Sequence, residues 1–219
     1  MDRADETLDG ANRGLRADQE TLRAFFGIDL DDAAWRAARD RSVALRRESG
    51  AGNARWVRPE NYHVTLRFLG EIEWQIVPGV VAAVRDSVAG IGPFEMLLGE
   101  VTGFPSPRRP RVIALEVVPA EPLDELASAV EAGVRAAGLD PEERRFRAHL
   151  TLARIRRGRS ARSIGLGAGR RAEGETLATG GLRSAERVQV TETLLYRSHL
   201  SSRGRAARYE VLERIALVG

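Results

Sequence analysis

The chain contains no cysteine and no lysine, only three histidines, and few aromatic residues, 5% of the total. Each absence removes chemistry. Without cysteine there are no disulfides, no thiolate metal sites and no cysteine nucleophile. Without lysine there is no Schiff-base former, no amine nucleophile and no Walker-type phosphate ligand. Long apolar runs are missing too, and nothing approaches the ~18 residues that a membrane span needs. The first twenty residues, MDRADETLDGANRGLRADQE, are acidic and have no apolar centre, so they do not read as a secretory signal. A cytoplasmic protein that does not enter a membrane is expected.

What is present is ordinary in bulk and uneven in charge. The 219 residues, 43% of them hydrophobic, suffice for one sizeable domain or two tightly joined lobes. All 34 basic residues are arginine, and the net charge is +3. That small sum hides segregation. Residues 1–20 hold six acids and three arginines, whereas residues 144–171 hold ten arginines and no acid. A basic block of that density points to an anionic ligand, nucleic acid among the candidates. An arginine-rich composition also colours any solvated loop, so both readings stand for this segment.

Residues 1–20 are polar and aperiodic and are expected to be a disordered acidic tail, with a single domain over 21–219. Strands are expected at 22–30, ARWV, YHVTLRFLG, 94–104, 111–118, HLTLARI, 187–198 and 207–217. Helices are expected at 31–49, from Pro78 to 91, and at 121–138, the last with apolar Leu123, Leu126, Ala127, Val130 and Val134 on one face. Residues 157–183, rich in Gly and Arg, read as a long mobile loop. Adjacent strands among the alternating elements indicate an α+β fold, arranged as two pseudo-symmetric lobes whose motif strands face each other.

Those motifs are NYHVTLRFLG at 61–70 and RAHLTLARIR at 147–156. Two of the three histidines, His63 and His149, each begin a His-x-Thr-Leu on an expected strand. Strand alternation puts His63 with Thr65, and His149 with Thr151, on one face, and the apolar partners on the other. Two such strands surround a small anion with two hydroxyl donors and two imidazoles. That suits in-line displacement at phosphorus: one histidine takes a proton from the nucleophile, the other gives one to the leaving oxygen. This scheme requires no metal. A histidine metal site is the competing reading, but close-spaced ligands and a carboxylate partner are lacking. His199, in YRSHLSS, lacks the motif and reads as a surface or strand-end residue.

RAFFGIDL, RWVRPENYHVTLRFLG, FPSPRRPRVIALEV, FRAHLTLAR and LLYRSHLSSRGRAARYEVL together resemble the 2H phosphoesterase superfamily, over about residues 22–217. Within it they resemble the RNA 2′,3′-cyclic phosphodiesterases of the LigT type, also called 2′-5′ RNA ligases. The resemblance implies two lobes, each an antiparallel sheet flanked by helices, with the active cleft between them. It implies hydrolysis of RNA 2′,3′-cyclic phosphate ends, tRNA fragments among them, to 2′-phosphates by a monomer without a cofactor. It makes His63 and His149 the acid–base pair and Thr65 and Thr151 the phosphate-binding hydroxyls. His149 would activate water and His63 would protonate the departing O3′. Phe68 and Arg154, five residues after each histidine, would hold the terminal nucleobase. Strand parity gives Phe68 a second reading as core, alongside Val64 and Leu66. Ligation at the same site, and an RNA-binding module without turnover, are the alternatives. The second of these does not need both histidines.

Overall fold

The computed structural model describes residues 21–48, 54–104, 110–155, 186–199 and 207–219. The acidic tail expected at 1–20 and the loop expected at 157–183 lie outside the described residues. Nine strands are described: β1 (Thr21–Ile28), β2 (Ala54–Trp56), β3 (Val64–Glu73), β4 (Phe94–Phe104), β5 (Val112–Val118), β6 (His149–Ile155), β7 (Glu186–Val190), β8 (Glu192–His199) and β9 (Arg208–Ala216). Three α-helices join them: α1 (Asp32–Glu48), α2 (Val77–Val88) and α3 (Ala120–Ala136).

Each helix follows from its local sequence. Asp31 accepts a hydrogen bond from the Ala34 amide at 2.9 Å and so starts α1, which buries Ala34, Ala38, Ser42 and Leu45 along one stripe. In α2 the valines at 77, 80, 81, 84 and 88 are all buried, at helical spacing. The stripe expected on α3 is buried as read, with Gly133 added to it. Gly133 is where α2 and α3 cross most closely. A Cβ there would lie 2.6 Å from the Val84 Cα, so only glycine lets the two backbones approach this far.

The strands run antiparallel in the order β7-β4-β5-β6-β3-β1-β8-β9, with β2 on the free side of β6. The sheet has two parts. One part is β3-β1-β8-β9, with α3 packed on β3 and α2 on β9; the other is β7-β4-β5-β6-β2, with α1 packed on β7. They meet at one residue pair, Val64 of β3 opposite Leu150 of β6. These are the two lobes, and the motif strands lie directly beside each other at their junction.

The lobes are not the two halves of the sequence. Residues 187–198, expected as one strand, form two. β7 pairs with β4 in one lobe and β8 pairs with β1 in the other, and the chain crosses over at Thr191. The alternation of Val188 and Val190 stops at three successive polar residues, Thr191, Glu192 and Thr193, and the crossing falls there. The buried apolar residues nevertheless form one main cluster spanning both lobes, including Phe26, Val64, Leu98, Leu115, Leu150 and Leu195.

Candidate active site

Val64 and Leu150, opposite each other at the junction, are fully buried. Their neighbours, His63 just before β3 with Thr65 on it, and His149 and Thr151 on β6, therefore point to the other face. Because the strands are antiparallel, each histidine lies on the side of the other strand's threonine. The apolar half of each motif fastens the junction, and the polar half faces out of it.

The two imidazoles are held alike. His63 Nδ1 lies 2.8 Å from the Asn61 carbonyl, and His149 Nδ1 lies 2.7 Å from the Arg147 carbonyl. A carbonyl only accepts, so Nδ1 carries the proton in both rings, and Nε2 is left as the acceptor in the neutral form. Thr65 Oγ1 is 2.9 Å from His63 Nε2 and donates to it. Each histidine thus receives its tautomer from the residue two positions earlier in its own strand entry.

Their surroundings differ. His63 sits among rings: Phe25 at 4.7 Å between centroids, Tyr209 edge-on at 5.1 Å and Tyr196 at 5.9 Å. Gly27 leaves room for it, since a Cβ there would lie 2.9 Å from the Val64 carbonyl oxygen and 3.6 Å from the His63 ring. His149 stacks on Phe104 at 4.5 Å, and the Arg147 guanidinium lies over the same ring at 4.5 Å. Burial pushes the His63 pKa down to about 4. The Asn61 hydrogen bond opposes this, and the charges of Arg154 and His149 add to it. Burial lowers the His149 pKa as well, opposed by the Arg147 carbonyl and aided by the charges of Arg154 and Arg147.

Phe68 and Arg154 are brought to this face by two matching bulges. On β1, Phe26 pairs with Arg67 and the next residue, Gly27, pairs with Thr65, so Leu66 is the extra residue. On β5, Ile113 pairs with Ala153 and Ala114 pairs with Thr151, so Leu152 is the extra residue. Both bulges fall three residues after the histidine. Each reverses the alternation, so the fifth residue returns to the histidine face. Strand parity read without the bulge placed Phe68 beside Val64 and Leu66, and the structure corrects this. Phe68 is 46% exposed, and its ring is 5.6 Å from that of Phe25. Arg154 is exposed as well.

A cleft of about 1490 Å³ opens here, lined among others by Phe25, Asn61, Phe68, Arg154 and Tyr209. His63 and His149 are not among its lining residues. The cleft borders the pair through Phe25, Asn61 and Tyr209, each of which touches His63. The rings of Phe25, Tyr196, Tyr209 and Phe104 were not singled out from the sequence. Their signal was an aromatic on a strand in an aromatic-poor chain. His199 ends β8 at the surface, 2.6 Å from Glu210 Oε2, as a strand-end residue. Among the described residues no group of three or more His, Cys, Asp or Glu could hold a metal ion, and no helix is long and apolar enough to cross a membrane.

The chain is similar to known proteins in both sequence and fold. The family model described as LigT like Phosphoesterase matches twice, over residues 28–114 and 115–205, one match for each motif. The chain is similar to an RNA 2′,3′-cyclic phosphodiesterase of Archaeoglobus fulgidus, 32% identical over 62% of this chain and 74% of the relative. It is similar to another of that name from Methanothermobacter thermautotrophicus, 31% identical over 62% of this chain and 72% of the relative. Among solved structures, Escherichia coli LigT complexed with 3′-AMP superposes with a TM-score of 0.67 at 27% identity, over 91% of this chain and all of that one.

Proposed function

Because the chain belongs to the family of LigT-like phosphoesterases, we propose that it is an RNA 2′,3′-cyclic phosphodiesterase that works with two histidines and no metal ion. The relatives' names support the substrate class. The observation that carries the mechanism is the junction at Val64 and Leu150, which puts two identically tethered imidazoles and two threonine hydroxyls on one face.

The cyclic phosphate binds between the motif strands, with Thr65 and Thr151 donating to its non-bridging oxygens. His149 Nε2 takes a proton from water as the water oxygen attacks phosphorus. The P–O3′ bond breaks, and His63 Nε2 gives its proton to O3′, leaving a 2′-phosphate and a free 3′-hydroxyl. The pair therefore needs one proton between its two members. The phosphate anion supplies charge that favours imidazolium, offsetting the burial that keeps both rings neutral at rest. The roles suit the two environments. His63, held down to about 4 in its ring of aromatics, is the stronger acid once protonated and the better donor to an alkoxide. His149, with one aromatic neighbour, is the more accessible base.

The test is incubation of a dinucleotide ending in a 2′,3′-cyclic phosphate with the protein in EDTA, followed by phosphorus NMR. A 2′-phosphate is expected. A 3′-phosphate would reverse the bond that breaks. Activity lost in EDTA and restored by a divalent ion would replace the two-histidine scheme with a metal-assisted one.

A further inference from the structure

The short 3₁₀ turn Pro59–Asn61 carries the chain from β2 in one lobe to β3 in the other, and it ends two residues before His63. Proline at its start sets φ, and the Asn61 and Tyr62 amides close it on the Arg58 and Pro59 carbonyls at 2.9 and 3.0 Å. Two further ties come from outside the turn. Trp35 of α1 donates from Nε1 to the Pro59 carbonyl at 2.9 Å. The buried Asn61 side chain donates from Nδ2 to the carbonyl of Ala207, the residue before β9.

The bond to Ala207 spans 146 residues of sequence, so it does nothing for the closure of the turn itself. A buried amide costs stability unless it is paired, and this one is paired with β9. Asn61 therefore reaches His63 by two routes. Its carbonyl, 2.8 Å from Nδ1, fixes the tautomer and the direction of the ring. Its side chain fixes the entry of β9. Two residues beyond Ala207 stands Tyr209, edge-on to His63 at 5.1 Å and to Phe25 at 5.0 Å. The matching residue at His149 is Arg147, which offers the same carbonyl, but its side chain is exposed and lies over Phe104.

We propose that Asn61 is a positioning residue for the acid–base pair: its side chain holds β9 so that Tyr209 closes on His63, while its carbonyl keeps the ring aimed at the leaving oxygen. This role rests on the reading of His63 as the general acid. The groups near His63 that titrate or carry charge are Tyr196 of β8, Tyr209 of β9, and His149 and Arg154 of β6. Burial is the largest influence on the ring and lowers its pKa, and the Asn61 carbonyl opposes it. Releasing β9 admits water on the Tyr209 side and loosens the carbonyl's hold. The first change raises the pKa and the second lowers it. Since burial is the larger influence, the net movement is upward.

The experiment compares Asn61→Ala and Tyr209→Leu, singly and together, with the unaltered protein, and uses Val84→Ala in the core face of α2 as the control for lost stability. On a cyclic-ended dinucleotide Asn61→Ala should lower kcat about tenfold, the worth of one hydrogen bond in a barrier, with KM within about twofold. The double variant should be about as slow as the slower single variant, because both changes break the same route. Histidine titration by NMR needs no turnover. In Asn61→Ala the His63 pKa should rise from about 4 toward the ~6.5 of a free histidine, while His149 titrates as in the unaltered protein. In Val84→Ala neither should move. Asn61→Ser, whose hydroxyl is too short to reach the Ala207 carbonyl, should give the same readings if Asn61→Ala does not fold. An unmoved His63 titration, additive losses of kcat, or a loss confined to KM overturns the positioning role. A raised His63 pKa without any hydrolysis supports it and counts only against the phosphodiesterase reading.

Discussion

At the scale of single residues, the two histidines were legible because a chain with three of them spent two on one repeated tetrapeptide. His63→Ala and His149→Ala should each lower kcat by about 10²–10⁴-fold, the usual worth of one acid–base group, while His199→Ala stays near the unaltered rate. Steady-state kinetics on a cyclic-ended dinucleotide checks this, and an equally damaging His199→Ala would move the site. The asymmetry between the histidines was not legible, because the rings around His63 come from β1, β8 and β9, far away in sequence. It has a consequence for stability. An unfolded histidine titrates near ~6.5, whereas His63 in the fold titrates at about 4. Above pH ~6.5 both states are neutral and the folded state keeps its full advantage. As pH falls toward 4 the unfolded chain takes up a proton that the folded chain refuses, and roughly 3 kcal/mol of stability is lost by the lower limit. His63→Gln should therefore lose less stability than the unaltered protein between pH 7 and pH 4.5, in paired urea titrations. Parallel losses would mean that His63 is freely protonated in the fold.

At the scale of elements, the motif strands, α3 and the 94–104 strand were readable to within three residues from periodicity. The bulges at Leu66 and Leu152 were not, since an inserted residue leaves the hydrophobic pattern intact and shows only in the register with β1 and β5. One product of the first bulge is Arg67, turned inward to 9% exposure. It pairs with Glu131 of α3, donates to the Phe68 and Asp140 carbonyls, and lies 3.7 Å from Glu142. Glu131 in turn accepts the Glu142 amide at 3.1 Å. One arginine therefore ties β3, α3 and the segment at 140–142 that lines the cleft. Arg67→Met removes the donor and leaves a half-buried carboxylate and two carbonyls behind. It should cost about 2–4 kcal/mol, near the lower end of a broken buried ion pair because Glu131 keeps some solvent. Urea unfolding at neutral pH measures it. A cost under ~0.5 kcal/mol would show that water replaces the guanidinium.

At the scale of the molecule, the repeat was visible in sequence and the allotment of chain to lobes was not. A two-fold repeat predicts two similar halves. It does not predict that β7 and β8, separated by one residue, go to different lobes. That crossing makes neither lobe a continuous segment. Removing residues after 185 would strip β7 from one lobe and β8 and β9 from the other. The shared apolar cluster across the junction works in the same direction. The lobes should therefore unfold together. The tryptophans allow a direct test, because Trp56 belongs to β2 in one lobe and Trp74 follows β3 in the other. Variants keeping only one of these, with the remaining two tryptophans changed to Phe, report on one lobe each. Their urea midpoints should coincide with each other and with the far-ultraviolet circular dichroism transition of the same variant. A 2′-nucleotide at about 100 times its Kd, held by groups from β3 and β6 at once, should stabilise both reports by about 2.7 kcal/mol. Two separated midpoints would show that the lobes fold independently, and a ligand shift confined to one tryptophan would place the nucleotide on a single lobe.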